Sequence, residues 1–178
     1  MNPRTGPLAP DGGERVDFVD PGDRVVGRGS REGRAPRGLL RRYAATVCTD
    51  DAGRVLLYRR SARARVYPAH YDVLIGGAVR TGEEYRTAAL RELREELGYE
   101  TVSGLTEAYR HRVDDPHGAA FLAVHRWRAD RAPRPDPGEI AWCGFVEPAA
   151  ALGDRYTPLV PTGAEALRRL FPHASRAL

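Results

Sequence analysis

One segment, Gly76 to Tyr99, constrains this chain more than any other: GGAVRTGEEYRTAALRELREELGY. Its centre, Arg91-Glu92-Leu93-Arg94-Glu95-Glu96, has the composition and spacing of a short helix. At about 100° per residue, Glu95 and Glu96 fall within about 60° on either side of Glu92. Leu90, Leu93 and Leu97 fall on a second face, centred roughly 130° away. One side can therefore bury apolar atoms while the other gathers three carboxylates. Like charges at this spacing repel by a few tenths of a kcal/mol per pair, and a divalent cation would turn that repulsion into attraction. The helix alone is equally compatible with a solvated face of loose ion pairs. Its flanks decide between the two.

Those flanks complete the pattern G-x5-E-x7-R-E-Leu-x-E-E-x-G-Tyr, running from Gly77 through Glu83, Arg91, Glu92, Glu95 and Glu96 to Gly98 and Tyr99. This resembles the signature of the Nudix hydrolases at every fixed glycine, acid and arginine. Tyr99 departs from it, standing where the family has an aliphatic residue, a difference that touches packing and not chemistry. The resemblance implies an α/β fold, a Nudix-type α/β/α sandwich with a mixed sheet, in which a loop-helix-loop holds Mg²⁺ or Mn²⁺ against a substrate diphosphate.

It further implies that Glu92, Glu95 and Glu96 are metal ligands, one of them also a base for the attacking water, with the Gly76 carbonyl as another ligand. Glu83 and Arg91 resemble the pair that braces the loop, and Gly77 belongs to the same brace. A hard dication prefers carboxylate and phosphate oxygens, so the residue types suit the role. Thr81 and Glu84 read as a capping box that starts the helix near them. Gly98 suits the position just past its end.

The rest of the chain reads around this segment. Residues 1–14 are rich in Pro and Gly and read as a disordered tail. Arg15 to Arg28, VDFVD and RVVGR about a PGD turn, predicts a β-hairpin at the N-terminus. Residues 29–38 predict a solvated connector. Leu39–Thr49 and Arg54–Arg60 predict a strand pair about Asp50-Asp51-Ala52-Gly53. Neighbours in a strand face opposite ways, so at most one of Arg59 and Arg60 can reach a shared pocket and contact a diphosphate. Tyr67-Pro68 and Tyr71-Asp72 read as packing beneath the site.

Thr101–Val113 and Ala119–Ala129 predict two strands joined by DDPHG. His111, His117 and His125 share no ligand spacing and read as structural. Glu139 precedes the strand IAWCGFV; by resemblance it is either an extra acid of the site, completing the metal centre or serving as base, or a surface glutamate. Glu147-Pro148 opens a short helix, and Thr162–Leu170 a final amphipathic one. One domain over residues 15–171, with a tail at 172–178, is expected.

All 28 basic residues of the 178 are Arg, and the net charge is +4. Acids are nearly as numerous, and no basic block resembles a nucleic-acid tail. The sequence contains no apolar run of transmembrane length and no secretory leader, which predicts a cytoplasmic protein. Cys48 and Cys143, far apart in strand-like runs, predict buried thiols. The expected partner is a small-molecule diphosphate, without nucleic acid or membrane; a homodimer is compatible with this reading.

The hairpin and the strand pair also resemble the branch around type I isopentenyl-diphosphate isomerase. Those isomerases carry Cys-Gly-His-Pro before the box, where this chain has Gly76-Gly77-Ala78-Val79. Gly76 and Ala78 cannot supply the proton-transferring cysteine or the metal-binding histidine. The resemblance thus implies hydrolysis of a diphosphate, with a nucleoside di- or triphosphate or a nucleoside diphosphate derivative as first substrate class and an isoprenoid diphosphate as second. An isomerase and a non-catalytic binding module are the rival readings.

Overall fold

A computed structural model describes residues 13–115 and 118–174. Most of both expected tails, and His117, lie outside them. The chain begins with an antiparallel hairpin, β1 (Arg15–Val19) and β2 (Val25–Ser30). Its turn is set by the Asp20 carboxylate, which accepts from the Gly22 and Arg24 amides at 2.8 and 3.0 Å. The hairpin is fastened to the main body. Val16 and Phe18 pack with Ala78, and Asp17 accepts from the Gly82 amide at 2.9 Å.

A mixed seven-stranded sheet follows. β3 (Arg41–Thr49) lies parallel to β8 (Gly118–Arg128) and antiparallel to β6 (Leu74–Ala78). β4 (Val55–Arg60) pairs with β5 (Tyr71–Asp72) and β9 (Ile140–Val146). β7 (Thr106–Asp115) closes the far edge on β8.

Strand periodicity makes the layers. On β3, Ala44 and Cys48 enter the core under α1 (Tyr85–Leu97), while Ala45 and Val47 enter the core that contains Ala166 and Leu167 of α3 (Pro161–Leu170) and Ala151 of α2 (Pro148–Ala151). The result is helix, sheet, helix: the α/β/α sandwich with an N-terminal hairpin that the sequence predicts.

β3 and β4 pair only through Thr49 and Val55, beside the turn that joins them. Beyond it they part, β3 taking β6 as its neighbour and β4 taking β5 and β9. This splay opens a cavity of about 550 Å³ between the two halves of the sheet.

Some expectations need correction. Thr81 and Glu84 form no capping box: α1 starts after Glu84 without a side-chain cap, and the buried Thr81 hydroxyl has no partner. Glu83 instead turns back and accepts from the Arg80 amide at 2.9 Å, which the loop's tie to the hairpin favours. Glu14, expected as the last residue of the tail, is tied to the body: it binds Arg31 at 2.5 Å and also binds Arg80. At the other terminus Ala174 is buried. Cys48 is buried and Cys143 only half-buried, both free.

Candidate functional site

α1 ends as its glycine requires. Gly98 adopts the left-handed conformation, φ 70°, with its amide on the Arg94 carbonyl and the Tyr99 amide on the Leu93 carbonyl. Tyr99 then packs edge-on against Trp127, centroids 4.6 Å apart, and donates to the Arg131 carbonyl at 2.8 Å. An aromatic ring with a hydroxyl therefore does here what an aliphatic side chain would do by packing alone.

Arg91 is the hub of the acidic face. It is buried, and all five N–H donors are taken. Nε and Nη2 hold Glu83 bidentately at 3.0 and 3.1 Å. Nη1 is shared between Glu92 at 2.6 Å and Glu95 at 3.2 Å, and Nη2 also reaches the Ala78 carbonyl at 2.9 Å. Glu92 is buried against Gly77: a Cβ on Gly77 would stand 2.5 Å from Glu92 Oε1. Only glycine allows that approach. Gly76 is as constrained, since a Cβ there would collide with the Ala44 carbonyl.

The three carboxylates differ in environment. Burial raises the pKa of Glu92, although Arg91 works against it, and the neighbouring Glu95 adds to the rise. Burial raises Glu96 well above the ordinary carboxylate value, and Glu92 and Glu139 push it further. Glu95 is exposed and leans outward toward Arg91 and Arg80.

Glu139 reaches this neighbourhood because the loop before β9 is hydrogen-bonded to the end of α1. The Arg134 amide donates to the Leu97 carbonyl and the Asp136 amide to the Glu96 carbonyl.

Among the described residues no three acids, histidines or cysteines form a ready-made metal cluster. Glu92 and Glu95 are drawn together by a guanidinium, and Glu96 lies on the other side of Glu92. The donor set nevertheless suits a hard dication: carboxylate oxygens lie close together, and the pKa values of Glu92 and Glu96 are raised first by burial and then by neighbouring carboxylates.

The cavity meets this cluster at Gly76, Gly77 and Glu139. Arg60 and Asp72 line it too. Arg60 Nε donates to the Val66 carbonyl at 3.1 Å. Burial raises Asp72 to about 6, offset in part by the Leu74 amide, Arg60 and the Val73 amide. Arg59 is off the wall: it points outward, with Nε on the Ala69 carbonyl at 3.1 Å and its guanidinium 5.9 Å from the Tyr71 ring centroid. The strand alternation that admits one of the pair thus puts Arg60 on the cavity wall and Arg59 off it.

Tyr67 lines the cavity where packing beneath the site is expected. His125 is buried with Nδ1 3.3 Å from the Ala45 carbonyl, and His111 stands 3.6 Å from Glu165.

Six charged wall residues escape a reading of the sequence: Glu14, Arg31, Glu32, Arg41, Arg63 and Arg65. The first three sit in what reads as tail and connector, and only the fold brings them to the cavity. For Arg41 a signal exists in the sequence, an arginine two places before Tyr43 on the face that also carries Ala45 and Val47.

Comparison with known proteins agrees with this geometry. Residues 39–170 match the profile of the NUDIX domain. An uncharacterized Nudix hydrolase of Streptomyces coelicolor is 40% identical over 160 residues, which is 88% of each chain. An isopentenyl-diphosphate Delta-isomerase of Nocardia farcinica is 35% identical over 158 residues, 80% of this chain and 88% of its own. A crystal structure of a Deinococcus radiodurans protein superposes with a TM-score of 0.76 at 29% identity, covering 89% of this chain and 99% of that one.

Proposed function

The chain belongs to the Nudix hydrolase family, and from that premise we propose that it cleaves a diphosphate linkage with the help of Mg²⁺ or Mn²⁺, in a nucleoside di- or triphosphate or a nucleoside diphosphate derivative. The observation that carries this reading is the low-exposure pair Glu92 and Glu96, with the exposed Glu139 acting on Glu96, set behind Gly76 and Gly77 of an arginine-lined cavity. Such a set is costly to leave ionised without a cation and is suited to holding one beside phosphate.

Glu92, Glu95 and Glu96, with the Gly76 carbonyl, would hold the ion, and Glu139 would complete the set. When bound, the ion neutralises charge on the phosphoryl oxygens and polarises phosphorus toward attack. Glu96 would take a proton from the attacking water. The water oxygen forms a bond to phosphorus as the bridging P–O bond breaks, and the departing phosphate carries away the electron pair. Arg60 on the cavity wall balances that charge. Arg91 and Glu83 keep the loop in place and touch no reacting atom.

A second reading, an isoprenoid diphosphate as substrate, is favoured by the likeness to an isopentenyl-diphosphate isomerase. Isomerisation itself is disfavoured: Gly76 occupies the cysteine position, and the Ala44 carbonyl leaves no room for a side chain there.

A panel of nucleotides, nucleotide sugars and isoprenoid diphosphates, assayed with Mg²⁺ and with Mn²⁺, tests this. Metal-dependent phosphate or nucleotide release is expected, reduced about 100-fold or more by Glu96→Gln. Equal release by the wild type and Glu96→Gln on every compound would favour a binding module. Conversion of isopentenyl diphosphate to its allylic isomer without phosphate release would favour an isomerase.

A further inference from the structure

Arg41 is 4% exposed and lies on the cavity wall. Its Nε is buried without a hydrogen-bond partner, and among the described residues its guanidinium has no ion pair. An arginine so enclosed, with no anion beside it among the described residues, is uncommon, because burying an unpaired charge is costly.

The acids on the same wall are otherwise engaged. Glu14 is held by Arg31 and Arg80, and Glu32 by Arg65 at 2.9 Å. Asp72 accepts from the Val73 and Leu74 amides, and Glu139 acts on Glu96.

The surroundings of Arg41 give it no other purpose. Across the sheet it stands level with Ala120 and Val113, and the next row is Tyr43 and Leu122. These side chains make a largely apolar wall in which a guanidinium would bind an anion strongly. Along β3, Arg41 is three residues from Ala44, which pairs with Gly77, so the two backbones are roughly 10 Å apart. The acidic cluster and Arg60 already serve the diphosphate near Gly77.

We propose that Arg41 is the receptor for a second anionic group on the substrate, a phosphate monoester or a carboxylate carried by the moiety joined to the diphosphate. This deepens the hydrolase reading and rests on it. The planar fork suits either oxyanion bidentately. The residue acts in selection: it favours substrates with a distal charge and leaves the attack on phosphorus to the glutamates.

The test compares two pairs of compounds, ADP-ribose with its 2′-phosphate and UDP-glucose with UDP-glucuronate. Each pair differs by one distal anion, phosphate in the first and carboxylate in the second. In wild type the anionic member of at least one pair is expected to have a kcat/KM roughly tenfold or more above its neutral counterpart. Arg41→Met should bring that ratio near one, Arg41→Lys should retain part of it, and Arg59→Met, off the wall, should leave it intact.

A thermal-shift measurement reports without turnover. The anionic member should raise the Tm of wild type and not that of Arg41→Met, whose own Tm should equal or exceed that of wild type. A purely structural Arg41 would instead lower Tm on removal.

Hydrolysis with equal kcat/KM within both pairs overturns the receptor and leaves the hydrolase reading standing. Selective thermal stabilisation by an anionic member, lost in Arg41→Met, with no hydrolysis of any compound, supports the receptor and overturns the hydrolase reading for these substrates. Neither hydrolysis nor stabilisation by any of the compounds counts against both.

Discussion

Arg91, in the brace behind Gly77, and Arg41, on the cavity wall, are both buried arginines, and they live in opposite conditions. Arg91 has every donor occupied, by Glu83, Glu92, Glu95 and the Ala78 carbonyl. Arg41 has an unpartnered Nε and no carboxylate among the described residues. The first is spent on holding the loop and the acidic face together; the second is left available. A buried charge that is fully bonded reads as architecture, and one that is not reads as a site awaiting a ligand.

The largest expected effect tests the saturated member. Arg91→Ala leaves Glu83 and Glu92 buried without their cation and should destabilise the fold by about 4 kcal/mol. At roughly 2–4 °C per kcal/mol for a chain of this size, Tm should fall by about 10 °C. A Tm within a degree or two of wild type would erase the distinction between the two arginines.

Gly77→Ala comes next. The added Cβ would meet Glu92 Oε1 at 2.5 Å, so the carboxylate must leave its place on Arg91. A stability loss of about 2–3 kcal/mol is expected, together with weaker Mg²⁺ binding by isothermal calorimetry. Unchanged metal affinity would show that Glu92 is not held in place by this contact.

Asp72 sharpens the comparison from the acid side. Burial raises its folded pKa to about 6 from an ordinary 3.8. The folded state therefore binds the proton more tightly than the unfolded state. Its contribution is fully present below pH 3.8 and is lost as pH rises through about 6. Asp72→Asn keeps an Oδ1 acceptor for the Val73 and Leu74 amides and removes the charge. It should be more stable than wild type at pH 7 by about 2 kcal/mol, with the difference vanishing near pH 4. Urea titrations at the two pH values measure this, and equal differences at both would show that Asp72 is paired well enough by Arg60 to remain ionised at no cost.

The smallest effect is expected at Arg59, which is exposed. Arg59→Ala should change stability by less than about 0.5 kcal/mol and leave kcat/KM within about twofold, in contrast to its neighbour Arg60 on the cavity wall.

Much of this was legible in the chain. The loop-helix-loop and its bracing pair Glu83 and Arg91 follow from the resemblance to the Nudix signature, while the helix and the glycine that ends it follow from local spacing, because helical periodicity and glycine turns are local properties. The hairpin and the strand pair about Gly53 were legible for the same reason. The capping box was not a safe inference: Thr81 and Glu84 have suitable spacing, yet contacts from Asp17 and Arg80 set the loop differently. Nor could the role of Glu14 or Arg31 be read locally, since each depends on which distant strand or loop lies opposite it.

The sequence by itself determined the acidic ridge, its apolar reverse face and the glycines that end the loop and helix, all of which follow from residue order within a few turns of chain. Tertiary structure decided that β3 and β4 part beyond Thr49, that Arg60 and not Arg59 faces the cavity, and that one buried arginine is saturated while another is not. Those outcomes depend on long-range pairing and on the competition of many charges for few partners, which no short window of sequence contains.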